Sequence, residues 1–340
     1  MTRSLSTTVK ADLGRPLVKT GNAGTRLRTN PPRAGAQTKS VRISVPVKSA
    51  RIILKPNSTV DDAIAVVVAA CRDHWQANLS SAIAGHPEGT HQVRVALRRM
   101  RSALSAFKKH IPAVQREALN VEAKWLLTQL GPARDLDVFI DSLAAPIAER
   151  ASENADVAQV KRAARAAQSG AHDAAGKALQ SPRTRRFAAR IDAWVSGRGW
   201  RAAQPGHPAK DCRTISAADF AQCFLNRRLR NIRSDYSDIE QLTVNARHDL
   251  RIAVKKTRYG LEFFHALLPA KRAARLNELL KHLQDSLGHL NDIEVAERTI
   301  GTLVNGAASG RQRCRAGNRQ FLAQIEESPR LLKADRFQYE

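Results

Sequence analysis

Aromatic side chains make up only 5% of this 340-residue chain. Modules that recognise nucleic acid mainly by stacking bases need more rings than that, so this mode is excluded as the principal one. Cysteine is also rare. Cys71, Cys212, Cys223 and Cys314 show no Cys-x-x-Cys spacing, which argues against a zinc site or a disulfide frame and for thiols in a reducing cytoplasm. Long apolar runs are missing too. The longest, Ala63–Cys71, is far too short to cross a bilayer, so no membrane partner is expected, and the first residues lack the continuous apolar stretch of a signal peptide. Acidic residues are few, with 31 Asp and Glu against 56 Lys and Arg, a formal net charge of +25. Apolar residues reach 43%, enough to bury a core, so global disorder is excluded. A large anion is the partner these figures imply, and they leave its identity open.

Residues 1–56 differ from the rest. Ten Lys and Arg between Arg3 and Lys48 face a single acid, Asp12, among Gly, Pro, Ser and Thr. This reads as a basic, mostly disordered arm, and the same composition would suit an organelle transit peptide. Within it, 41–54 alternates weakly, like a short strand packed on the body. From Ser58 onward the apolar period is helical. Ser58–Thr59 with Asp61 and Asp62 predict an N-cap and first-turn carboxylates. Helices are expected over 58–79, 91–110, 114–130, 132–150, 155–180 and 183–196, with loops at 80–90 and 196–213.

A shift of 157 residues superposes the second half on the first. His91 falls on His248, Arg94 on Arg251, Arg98 on Lys255, Arg99 on Lys256 and Arg101 on Arg258. Leu104 and Phe107 fall on Leu261 and Phe264, Lys124 on Lys281, and Leu130-Gly131 on Leu287-Gly288. Ser181-Pro182-Arg183 returns as Ser328-Pro329-Arg330 after a ten-residue contraction. Identical charged residues in one ungapped register predict a tandem duplication, with repeat one at 57–205 and repeat two at 213–336.

On a helix, residues three and four apart share a face. His91, Arg94, Arg98, Arg101 and Lys108 fall on one face, and Val93, Leu97, Met100, Leu104 and Phe107 on another. The second copy repeats this with His248, Arg251, Lys255 and Arg258. Stacked like charges cost a few tenths of a kcal/mol per close pair without a ligand, and guanidinium forks match phosphate oxygens bidentately. The alternative is a solvated basic face, which the recurrence of the whole set, histidine included, argues against.

After each ladder comes a second element, Leu130-Gly131-Pro132-Ala133-Arg134-Asp135-Leu136-Asp137 and, in copy two, Leu287-Gly288 through Glu294. Its carboxylates could serve a metal or acid–base chemistry. The alternative, favoured because two carboxylates per copy are few for a metal cage, is that Asp135 and Asp292 pair with ladder arginines and fix their pose. His91 and His248 are expected to donate to phosphate, while His282 and His289 occur in copy two alone and read as incidental.

These residues resemble the CHAD family, the conserved-histidine α-helical domain. The family's histidine followed by spaced arginines appears as His91 to Arg101, and its Leu-Gly…Arg-Asp…Asp-Val element as 130–138. The resemblance covers about 57–340, both copies included. It implies an all-α fold of two pseudo-symmetric helical bundles around a basic central cavity, binding of inorganic polyphosphate, and targeting to polyphosphate granules in the cytoplasm. The family positions carried over are His91, Arg94, Arg98 and Arg101, with His248, Arg251, Lys255 and Arg258. Lys124, Arg134, Arg183, Lys281 and Arg330 are basic at further family positions. Lys255, Lys256 and Asn291 stand where arginine would match, which implies that copy one contributes more affinity per residue.

Two rivals belong to other classes. A nucleic-acid binder would suit the charge, but no DNA- or RNA-binding signature is present, so nucleic acid is expected only as a weak, non-specific competitor. A metal-dependent polyphosphate or triphosphate hydrolase would need a catalytic set. Some CHAD domains are fused to a triphosphate-tunnel hydrolase marked by a Glu-x-Glu-x-Lys strand, and no such segment, nucleophile–base pair or Gly-rich phosphate loop occurs here. No catalytic residue, metal or cofactor is therefore expected.

Overall fold

The computed structural model describes residues 45–144, 155–202, 212–236 and 242–287. The expectations for residues 1–44, Asp292 and Arg330 lie outside the described residues. The fold is all-α. Helix α1 spans Val60–Ile83, α2 Pro87–Ala106, α3 Ala113–Gln129 and α4 Gly131–Val138, which runs on into a π-helical turn at Phe139–Ala144. Then follow α5 (Ala155–Gln180), α6 (Pro182–Ser196), α7 (Ala217–Asp235), α8 (Val244–Phe264) and α9, over 270–287. Helices α7, α8 and α9 begin at 217, 244 and 270, each 157 residues after α1, α2 and α3.

Local chemistry explains the helix starts. Thr59 accepts from the Asp62 N–H while the Asp62 carboxylate accepts from the Thr59 N–H at 3.1 Å, a reciprocal capping box. Ser181, Ser216 and Thr243 cap α6, α7 and α8 through their hydroxyls. Helix α2 starts at Pro87, inside the stretch predicted as a loop. Proline's fixed φ suits a first helical turn, where its missing N–H costs nothing, and the loop shrinks to 84–86. Of the predicted helix 132–150, the described part is α-helix to Val138 and π-helix from Phe139 to Ala144, and 145–150 lie outside the described residues.

Helix α1 buries one side along its whole length: Val60, Ile64, Val67, Val68, Cys71, Trp75 and Ala82 have essentially no exposure. It packs on α2, α5 and α6. Cys71, Cys212 and Cys223 form no disulfide. The scarce rings are spent in the core. Trp75 meets Phe187 at 5.2 Å between centroids and Trp194 meets Trp200 at 5.1 Å. Phe107, Phe220, Phe224 and Phe264 cluster where α2, α7 and α8 meet.

Residues 45–54 lie against the body with Ile52 and Leu54 buried, but they form no strand. The Val47 N–H and C=O are satisfied instead by the Asn78 side chain, at 2.9 Å each, because no neighbouring strand among the described residues offers a ladder.

The two sets of helices join at a reciprocal pair of backbone bonds. The Val60 N–H donates to the Ile215 carbonyl and the Ala217 N–H to the Ser58 carbonyl, both at 2.9 Å. Each of these bonds is the other displaced by 157 residues. Phe107 and Phe264, also 157 apart, meet edge to face at 5.9 Å.

Candidate anion-binding site

Helices α2 and α8 cross, and α3 flanks them. Between the three lies a cavity of about 580 Å³. Helix α2 lines it with Arg98 and Arg101, the turn after α2 with Lys108, α8 with His248, Arg251, Lys255 and Lys256, and α3 with Arg116. Glu117 is the one carboxylate among the described lining residues. Apolar neighbours anchor the ladders: Leu97, Met100 and Leu104 on α2, Leu250, Val254 and Leu261 on α8, all at or near zero exposure. Core burial thus fixes which way the cations face.

The cations are held as well as gathered. Arg101 donates from Nε to Asn120 Oδ1 at 2.8 Å, which leaves its terminal nitrogens for a ligand. Burial and the nearby Arg98 push the Arg101 guanidinium below its ordinary pKa. Lys256 is lowered by burial first, then by Arg228 and Arg101. Like charges are therefore crowded in a partly desolvated cleft, an arrangement an incoming anion relieves.

Six of the predicted residues meet at the cavity: Arg98, Arg101, Lys108, His248, Arg251 and Lys255. The others lie elsewhere. Arg94 is 7% exposed and donates from Nη1 to the Leu127 carbonyl at 2.8 Å. Burial, then Arg98, lowers its pKa to about 10. It ties α2 to α3 beneath the ladder. His91 is half-buried beside Arg134, and burial, followed by Arg134, shifts it toward its neutral form. Arg258 donates to Gln284 Oε1 at 2.9 Å, while Lys124 and Lys281 are exposed outside the cavity.

Arg183 lies outside the cavity, donating from Nε to Glu122 at 2.7 Å and lying over the Trp125 ring. The pairing expected of Asp135 is corrected. Asp135 is exposed and makes none of the ion pairs among the described residues; it reaches Arg94 only through its field. The buried carboxylate of that element is Asp137, which accepts from Gln168 Nε2 at 2.8 Å and lies 2.8 Å from His172 Nε2. A sequence offset of two residues turns a helix by about 200°, which exchanges the exposed carboxylate for the buried one.

Arg116, Asn120 and Lys256 were missed by sequence reasoning. Arg116 has Ala273 as its counterpart, so a search for repeated cations passes over it. Lys256 was matched to Arg99, but Arg99 is buried against Glu262 while Lys256 lines the cavity.

Fold and site together define an all-α protein in which two crossing helices present cations to a shared cleft. The model of the CHAD domain family matches residues 66–301, and the chain belongs to that family. Among solved structures it is similar to the CHAD domain from the plant Ricinus communis, at 28% identity and a TM-score of 0.72, over 86% of this chain and 95% of that one. It is also similar to PptA from Streptomyces chartreusis, at 15% identity and a TM-score of 0.54, over 79% of this chain and 100% of that one; this second likeness concerns the fold alone. A comparison with curated proteins gave no match. No described helix is long and apolar enough to cross a membrane.

Proposed function

We propose that this protein binds inorganic polyphosphate in the cleft between α2 and α8, without turning it over, and is recruited through it to polyphosphate granules in the cytoplasm. The observation that carries the reading is the convergence of cations from two separate helices on one cavity where Glu117 is the single carboxylate among the described lining residues. A chain of phosphates has a charge on every unit and no base to be read. A narrow cleft of guanidinium and ammonium groups meets that chemistry. One carboxylate is a poor anchor for a divalent metal, which supports binding over hydrolysis, and nucleic acid remains a weak competitor.

The test is a double reversal, Arg101→Glu with Arg251→Glu. Both residues line the cavity, whereas Arg94→Glu would bury a carboxylate and confuse loss of binding with unfolding. Polyphosphate affinity should fall by roughly 100-fold or more, since at least two charge-assisted contacts become repulsions, with the helical circular dichroism unchanged. Undiminished binding at moderate salt would place the site elsewhere. Displacement of polyphosphate by RNA or duplex DNA at equal phosphate would favour a nucleic-acid binder. Phosphate release with Mg²⁺ or Mn²⁺ would make the protein a hydrolase.

A further inference from the structure

The cleft holds an amine whose surroundings do more than supply charge. Lys256, on α8, lines the cavity and is half-buried. It makes none of the ion pairs among the described residues. Its charged neighbours come from three helices. Arg228 of α7 lies over the Phe224 ring at 5.4 Å, Arg101 lines the same cavity from α2, and Asp249 of α8 opposes them more weakly. Burial first, then Arg228 and Arg101, lowers the Lys256 pKa, so a larger share of its amine is neutral than at the ordinary value.

A neutral amine is a nucleophile, and this one stands inside an anion receptor. Arg101 is fixed through its Nε by Asn120 at 2.8 Å, and Arg251 lines the same cavity. This pairing selects a class of reagent. A small acyl phosphate offers a phosphate to the guanidinium groups and a carbonyl carbon to the amine. Its leaving group is the phosphate itself, which gains charge as its bond to carbon breaks. The cations that draw the reagent in therefore also favour its reaction. An acyl donor without charge would not be drawn in by them.

From this juxtaposition we infer that Lys256 is an acylation site for small acyl phosphates, and that acylation there weakens polyphosphate binding, a consequence that rests on the polyphosphate reading above. The Lys256 Nζ lone pair forms the bond to the acyl carbon. The bond from that carbon to the phosphate oxygen breaks, and phosphate leaves with the electron pair and takes up the N–H proton. The product is an uncharged amide, so the cleft loses one positive charge.

The experiment incubates the full chain with acetyl phosphate at about pH 7.5 and about 0.15 M salt, and follows each lysine by peptide mass spectrometry. Lys256 should be acetylated at least roughly tenfold faster than Lys124 and Lys281, which are exposed outside the cavity. Equal rates at the three would overturn the site. N-acetoxysuccinimide, an acyl donor without phosphate, should show a several-fold smaller preference for Lys256. An equal preference with both reagents would remove acyl phosphates as the class.

Polyphosphate separates this inference from the reading beneath it. Protein acetylated at Lys256 should bind polyphosphate several-fold more weakly, with a salt slope flatter by about 0.7. Unchanged affinity would overturn the effect on binding. Selective acetylation of Lys256, with no polyphosphate binding by the unmodified chain, would sink the polyphosphate reading and leave the acylation site standing. Lys256→Arg keeps the charge and cannot form the amide. Whatever affinity that variant has, acetyl phosphate should not lower it, and a loss would trace the effect to another lysine.

Discussion

Asp61 is 2% exposed and gathers groups from a connector some 140 residues away. It accepts from Arg201 Nε at 2.9 Å and Nη2 at 2.6 Å, from Trp200 Nε1 at 2.7 Å, and from Arg198. Arg198 adopts φ 47°, the left-handed region that non-glycine residues rarely occupy, and the carboxylate helps hold it there. The Arg201 hydrogen bond is the largest cause that brings the Asp61 pKa down to about 2, against an opposing contribution from burial. A depressed carboxylate stabilises the fold fully above its unfolded pKa and ceases to do so as pH falls through the folded value. Acid unfolding should therefore gain a component between about pH 4 and pH 2, and Asp61→Ala should remove it while costing roughly 2 kcal/mol at neutral pH in urea unfolding. From the sequence Asp61 is a first-turn carboxylate of α1. Its role as a clamp depends on partners that a helical period does not reveal.

Helix placement follows the sequence closely where caps and apolar period agree, as at Thr59 and Ser181, and departs from it where contacts between helices decide. Gly89, inside α2, shows the difference. A Cβ there would lie 2.7 Å from the Ala82 backbone nitrogen and 2.8 Å from the Ser81 carbonyl carbon, both fixed by α1. Gly170, in α5, has nothing within 4 Å of its added Cβ. The two alanine substitutions should move thermal stability in opposite directions. Gly89→Ala should destabilise by roughly 1–3 kcal/mol through overpacking, and Gly170→Ala should stabilise by about 0.5–1 kcal/mol through the lower entropy of the unfolded chain. Composition and helical period treat both positions alike as glycine in a helix. The close approach of α1 to α2 separates them.

At the scale of the whole molecule, charge becomes a binding property only after the helices cross. Among the described residues, seven cations line the cleft against Glu117, a net of about six charges for a bound chain to neutralise. By counterion release on a flexible polyanion, at about 0.7 per neutralised charge, log affinity for polyphosphate should fall against log salt with a slope near −4. The Arg101→Glu, Arg251→Glu variant should flatten that slope, and a wild-type slope near zero would show that the cleft's charges are not the binding element. The +25 of the full chain predicts neither number, because charges farther apart than a Debye length act separately.

The sequence by itself determined the all-α class, the capped start of α1, the recurrence at 157 residues and the presence of two cationic faces. These are set by local hydrogen bonding and by a periodicity confined to single helices. Which cations meet was decided by tertiary structure, since the crossing of α2 over α8 selects Arg98, Arg101, Lys108, His248, Arg251 and Lys255 and leaves Arg94 buried beneath them. Tertiary structure also broke the symmetry the repeat suggests. Arg99 and Lys256 are interchangeable as cations in a sequence shift. Only the packing of Glu262 against Arg99 makes one a buried tie, while the other lines the cleft.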